Sequence, residues 1–231
     1  MNIPKNKWLL FGLVGLGLLA LVILAIFLRS GVSNLLTPSY RYNDVPSRYT
    51  GFVRHVLRTG STTYDSDYAE YGLSATGPDR LLGQISPTAK VYAIPGEDPS
   101  VYLVLYDLKS QVGVFRNIEH PAFDLRTTTF KEMRLFQLDT NSTTYQSSTD
   151  AQLIQEAITA LQARTSVAPL QVAGKPARYG LNLYSEQHPG LIYCLGVFVD
   201  GAGNVYLAEN TLAQDWFPAS KPFSDWVKSF R

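Results

Sequence analysis

The chain has 231 residues, with 20 Lys and Arg against 19 Asp and Glu and a formal net charge of +1. The charge is uneven: Lys5, Lys7, Arg29, Arg41, Arg48, Arg54 and Arg58 face Asp44 alone in residues 1–60, giving +6 there and −5 in the remainder. A nucleic-acid-binding domain concentrates positive charge on its folded part, and this distribution is the reverse, which excludes nucleic acid as a partner.

The first element is an apolar run. Trp8 to Leu28 comprises 21 residues without charge or proline, and at about 1.5 Å per helical residue such a run spans about 30 Å, the hydrocarbon thickness of a bilayer. It ends Ala25, Ile26, Phe27, Leu28, Arg29, with neither the small residues of a cleavage site nor a lipoprotein cysteine, so it is expected to stay as a signal anchor. Lys5, Lys7 and the amino group before it outweigh Arg29 after it. This places residues 1–7 in the cytoplasm and the rest outside, in a single-pass protein of the cell membrane. Gly12, Gly15 and Gly17, beside Trp8, allow another transmembrane helix to approach closely.

Residues 29–46, rich in Ser, Asn, Pro and Thr, read as a juxtamembrane linker, and 47–231 as one extracytoplasmic domain. From Arg48 to Leu57 the apolar residues Tyr49, Phe52, Val53, Val56 and Leu57 recur at helical spacing, with Arg54 and Arg58 on other faces and Gly60 as a stop. The expectation is an amphipathic helix near the membrane, with Phe52, Arg54 and Arg58 as candidate lipid contacts. The Tyr-, Asp- and Ser-rich stretch 62–77 has no helical signature.

Strand signals then accumulate at Lys90–Ile94, Val101–Tyr106, Gln111–Phe115 and Met133–Leu138, separated by Pro, Gly and Asp. Asp150–Ala163 predicts a helix with Leu153, Ile154, Ala157, Ile158 and Leu161 on one face and Thr149 and Gln152 at capping-box spacing. Tyr179–Tyr184, Leu191–Val199 and Val205–Ala208 predict further strands, the last two joined by a hairpin turn at Asp200–Asn204. Leu191–Val199 is almost wholly apolar and is expected to lie centrally, covered on both faces. A short helix from about Pro222 to Phe230 closes the chain. The fold class expected is α+β: a single transmembrane helix, then a mainly antiparallel sheet with two or three helices.

Residues able to do chemistry are few. Ser74, in Gly72-Leu-Ser-Ala-Thr-Gly77, misses the nucleophile-elbow spacing by one residue. Cys194, the sole cysteine, sits in an apolar strand, where a thiol acts as a small hydrophobe. Unable to form an internal disulfide, it leaves the domain to be held by its core and, with the short polar amino end, points to a bacterial envelope. His120 and His188 each precede a proline, which places both in extended or turn segments; facing one another they could share a metal with Glu119, but two unrelated turn histidines are expected. Asp65, Asp67 and Glu70 lack the glycine and distant glutamate of a calcium loop. Haem-attachment and phosphate-loop motifs are missing.

Tyr102–Tyr106, Gln111–Phe115 and Asn117-Ile-Glu-His-Pro121 resemble the strands leading into the first Cys-x-His box of Rieske iron–sulfur domains, over Gly83 to Leu125. Ile118 stands in place of the cysteine ligand, however, and no second box follows, so the ligands a cluster needs are missing. Trp216 and Trp226, with Phe217, Phe223 and Phe230, concentrate aromatic surface of the kind favoured at interfaces and in cores. The expected function is therefore that of a non-catalytic accessory subunit of a membrane complex. It would carry no cofactor or metal and would contact other membrane subunits and lipid through Trp8, Gly12, Gly15, Gly17, Phe52, Arg54, Arg58, Trp216 and Trp226. An envelope sensor or ligand-binding domain is the alternative, and an enzyme with an unrecognised site the third reading.

Overall fold

In the computed structural model, alternation of side chains along strands, rather than helical periodicity, organises the first half of the domain. The residues described are 38–47, 53–66, 71–74, 77–108, 110–138, 144–162, 177–211 and 215–230. The chain divides into Met1–Ser39 and Tyr40–Arg231, and the fold below is that of the second unit. The expected membrane span, with Trp8, Gly12, Gly15 and Gly17, lies outside the described residues, as does Phe52. Among the described residues no helix is long and apolar enough to cross a membrane.

The first sheet is antiparallel. Strands β1 (Arg41–Pro46), β2 (Val53–Thr59) and β3 (Thr62–Ser66) form successive hairpins, and β5 (Leu81–Gln84), β6 (Ala89–Ala93), β7 (Tyr102–Asp107) and β8 (Ser110–Asn117) form a meander. The two runs join through β3 and β8, giving the order β1-β2-β3-β8-β7-β6-β5. Just before β1, Tyr40 N–H donates to Gln84 O at 3.1 Å, so the two edges of this curled sheet meet at one end. Inside the curl, Tyr40, Leu57, Tyr64, Val91, Leu103, Leu105 and Phe115 form their own core.

Two expectations are corrected here. Val53–Leu57 is strand, not amphipathic helix, and Arg41–Pro46, read as the end of a linker, is its partner strand. The apolar residues that fit a helical stripe also fit a strand: Leu57 points into the curl, and β-branched Val53 and Val56 suit a pleated surface. Pairing on both sides, with β1 and with β3 across the Gly60–Ser61 turn, decides between them.

The second sheet runs β10 (Tyr145–Ser148), β9 (Phe130–Gln137), β11 (Ala177–Ser185), β12 (Leu191–Val199), β13 (Val205–Ala208), β14 (Phe217–Pro218). The short strand β4 (Tyr71–Leu73), directly after β3 in the chain, pairs instead with the start of β12. β12 is central as expected, bonded to β11 along one edge and to β4 and then β13 along the other.

Two helices are present among the described residues. α1 (Ala151–Gln162) is capped by Asp150, whose Oδ1 accepts from Gln152 and Leu153 N–H, so the cap is one residue later than Thr149. α2 (Lys221–Lys228) is capped by Ser220, whose Oγ accepts from Phe223 N–H at 3.3 Å and donates to Glu156 of α1. Ile154, Ala157 and Ile158 of α1 and Phe223 and Val227 of α2 join Met133, Leu135, Leu181, Leu183, Leu195, Val197 and Leu207 of the second sheet in one core. Tyr102, Val104 and Val114 of the first sheet complete it. The product is a mainly antiparallel β-sheet domain with two helices.

Candidate functional site

Because both helices cover one face of the second sheet, its other face is free to carry different chemistry. Register sets what that face holds. Arg134 of β9 lies opposite Ser147 of β10 and Asn182 of β11, and Glu132 lies opposite Tyr184. Glu132 and Arg134, two residues apart on a strand, share a face and pair through two bonds, Nε to Oε1 at 2.6 Å and Nη2 to Oε2 at 3.0 Å. The guanidinium is held between two rings, 5.1 Å from the centroid of Tyr145 and 4.4 Å from that of Tyr184. The Arg134 bond holds the Glu132 carboxyl below its ordinary range, and the same bond holds the guanidinium firmly charged. The result is a planar cation fixed in orientation, with Tyr145 still 53 % exposed.

At the far end of this face Trp216 packs on Phe198, with ring centroids 5.1 Å apart, and Phe198 in turn meets Tyr206 at 6.3 Å. The chain after β13 folds back here, so a Cβ on Gly196 would lie 2.6 Å from the carbonyl oxygen of Asn210. Trp226 is elsewhere: it packs on Phe223 at 5.6 Å and borders the core beneath the helices. The two tryptophans, grouped in sequence, are therefore not brought together.

A second cluster lies where the sheets meet. Glu97, in the turn after β6, has a side chain only 4 % exposed and accepts from Gly190 N–H at 3.1 Å and from His188 Nδ1 at 3.0 Å. The His188 ring lies against Phe123, 4.4 Å between centroids, and edge-on to Tyr102. Tyr71 and Tyr193 extend this aromatic group. Beside it opens a cleft of about 720 Å³ whose lining includes Phe123, Tyr193, Asp124, Arg126 and Glu209.

The remaining candidates are placed as follows. Ser74 Oγ donates to the carbonyl of Pro189, tying β4 to the β11–β12 turn. The Cys194 thiol faces Gly72, where a Cβ would lie 3.4 Å from Sγ, and burial pushes the thiol up to about 12. His188 is engaged by Glu97, while His120 and Glu119 lie exposed in the turn after β8. No three His, Cys, Asp or Glu among the described residues gather to hold a metal ion. Arg54 pairs with Asp65, and Arg58 is exposed on the same face of β2. Asp67 and Glu70 lie outside the described residues.

Sequence reasoning passed over Arg134, Tyr145 and Tyr184. The spacing of Glu132 and Arg134 signals a shared strand face, but the rings that enclose the arginine come from strands 11 and 50 residues away. In comparisons with known proteins, the chain matches no family model, no curated protein and no solved structure.

Proposed function

We propose that this protein is a non-catalytic accessory subunit of a larger membrane complex, held by Trp8–Leu28 with residues 1–7 in the cytoplasm and its β domain outside. The outer face of the second sheet is its docking surface. The observation that carries this reading is the Tyr145–Arg134–Tyr184 stack on the face away from both helices. Tyr, Trp and Arg are the side chains most favoured at the energetic centres of interfaces. An arginine already fixed by a carboxylate and two rings loses little further freedom on docking. Gly12, Gly15 and Gly17 supply a second contact, between helices in the bilayer.

The test is purification of the full chain from its native membranes in mild detergent. Stoichiometric co-purifying membrane proteins, lost with Tyr184→Ala or with leucine at Gly12, Gly15 and Gly17, are the expected outcome. Recovery of the wild type as a lone monomer would sink the proposal. The cleft beside Phe123 favours a second reading, an envelope ligand-binding domain, since its volume lies within the range of small-molecule sites. A monomer that retains a bound metabolite through purification would favour that reading.

A further inference from the structure

Arg41 of β1 and Arg58 of β2 are directly opposed in register, and both are exposed. Like charges at opposed positions of an antiparallel pair repel one another and weaken the sheet. Arg54 shares their face but has a counter-charge in Asp65. Among the described residues no carboxylate pairs with Arg41 or Arg58. Asp44, the acid nearest in sequence, points to the other face of the hairpin, where it bonds His55.

This unneutralised pair belongs to the basic end of the chain, residues 1–60 carrying +6 against −5 beyond. Arg41 follows Leu28, the end of the apolar run, by 13 residues, which even fully extended reach no more than about 45 Å. Two adjacent guanidiniums offer paired N–H donors matched to phosphate oxygens. We propose that the β1–β2 face, through Arg41 and Arg58, binds the phosphate headgroups of anionic lipid in the membrane that holds Trp8–Leu28. Lipid phosphate supplies the counter-charge that Arg41 and Arg58 lack among the described residues, so the bilayer surface orders this hairpin. The proposal rests on the membrane-anchored reading above.

The experiment uses the full chain in nanodiscs of phosphatidylcholine alone and of phosphatidylcholine with phosphatidylglycerol. Arginine modification by phenylglyoxal is followed by mass spectrometry, with exposed Arg80 and Arg126 as internal references. Arg41 and Arg58 are expected to react about fivefold more slowly in the anionic discs, while the reference sites keep their rates. The difference should vanish in about 1 M salt, where screening acts over about 3 Å. Equal rates in both lipids, or equal slowing of Arg80 and Arg126, would overturn the headgroup proposal. Failure of the chain to remain with phosphatidylcholine discs in high salt would instead overturn the anchored reading on which it rests.

Discussion

Oε2 of Glu97 lies 3.0 Å from Nδ1 of His188, although 91 residues separate them in the chain. A carboxylate only accepts, so the imidazole carries its proton on Nδ1, and Oε1 is left to take the Gly190 N–H. One nearly buried carboxylate thus fixes the β11–β12 turn against the β6–β7 turn. That bond ties the two sheets together beyond their shared apolar core, while Ser74, donating to Pro189, holds the same turn to β4 within the second sheet.

Removing this tie should cost more than its location in a turn suggests. Glu97→Ala leaves the Gly190 N–H and the imidazole without their acceptor and is expected to destabilise the domain by about 2–3 kcal/mol, with Glu97→Gln losing about half as much. Urea unfolding curves measure both, and midpoints equal to wild type would contradict the assignment.

Gly190 allows close approach at the same junction. A Cβ there would collide with the backbone carbonyl of Pro95 and lie 2.7 Å from Ile94 Cγ2. Backbone cannot rotate away, so Gly190→Ala should cost about 1–3 kcal/mol as overpacking. Gly203, at φ +82 in the β12–β13 hairpin, meets only the end of the Lys228 side chain at 4.0 Å. Gly203→Ala should cost about 1 kcal/mol through backbone strain alone, and thermal midpoints in the reverse order would refute this division.

At the proposed docking face, Tyr184→Phe keeps the ring over Arg134 and Tyr184→Ala removes it. The stack contributes about 1 kcal/mol to folding. On the subunit proposal, co-purification of partner proteins should survive the Phe variant and fail with Ala. Equal loss in both variants would show that the hydroxyl, not the ring, is what matters.

Cys194 should be inert to iodoacetamide at pH 8 in the folded chain and alkylated once the chain unfolds. Its folded thiol value, about 12, lies above the ordinary 9.0. The stability this represents is complete below pH 9 and is lost as pH rises toward 12, because the unfolded thiol ionises first. Cys194→Ala should therefore flatten the alkaline decline of the thermal midpoint, and an unchanged slope would count against burial of the thiol.

Asp200 is one of the carboxylates through which acid acts. Its carboxylate accepts from Asn204 Nδ2 and N–H and from Ala202 N–H, bonds that hold it below its ordinary 3.8. The contribution is present above that value and is lost as pH falls through the depressed one. Asp200→Asn should lower the thermal midpoint at neutral pH and bring it close to wild type near pH 2, measured by circular dichroism.

Period and punctuation located most of the elements. Leu191–Val199 and Val205–Ala208 are strands with the boundaries expected, β6 to β9 and β11 differ from their expected limits by only a few residues, and both described helices match expected ones. These segments have long apolar periods bounded by Pro, Gly or Asp. The missed strands, β1, β3, β4, β5, β10 and β14, are short or polar and become strands only because a neighbour supplies their hydrogen bonds. For β2 the apolar spacing fitted two conformations, and pairing on both edges selected one.

The sequence by itself determined the uncharged run Trp8–Leu28, the uneven charge, the central apolar strand β12 and the scarcity of chemistry-bearing residues, because composition and local period are properties of a linear chain. Tertiary structure alone decided that His188 meets Glu97, that Arg134 rests between Tyr145 and Tyr184, that Trp216 and Trp226 part company, and that Arg41 and Arg58 stand opposed. The tryptophans part because α2 carries Trp226 away from the sheet face that holds Trp216; the others are cross-strand or inter-sheet relations, and register across an antiparallel sheet is fixed by which edges pair and which faces are buried.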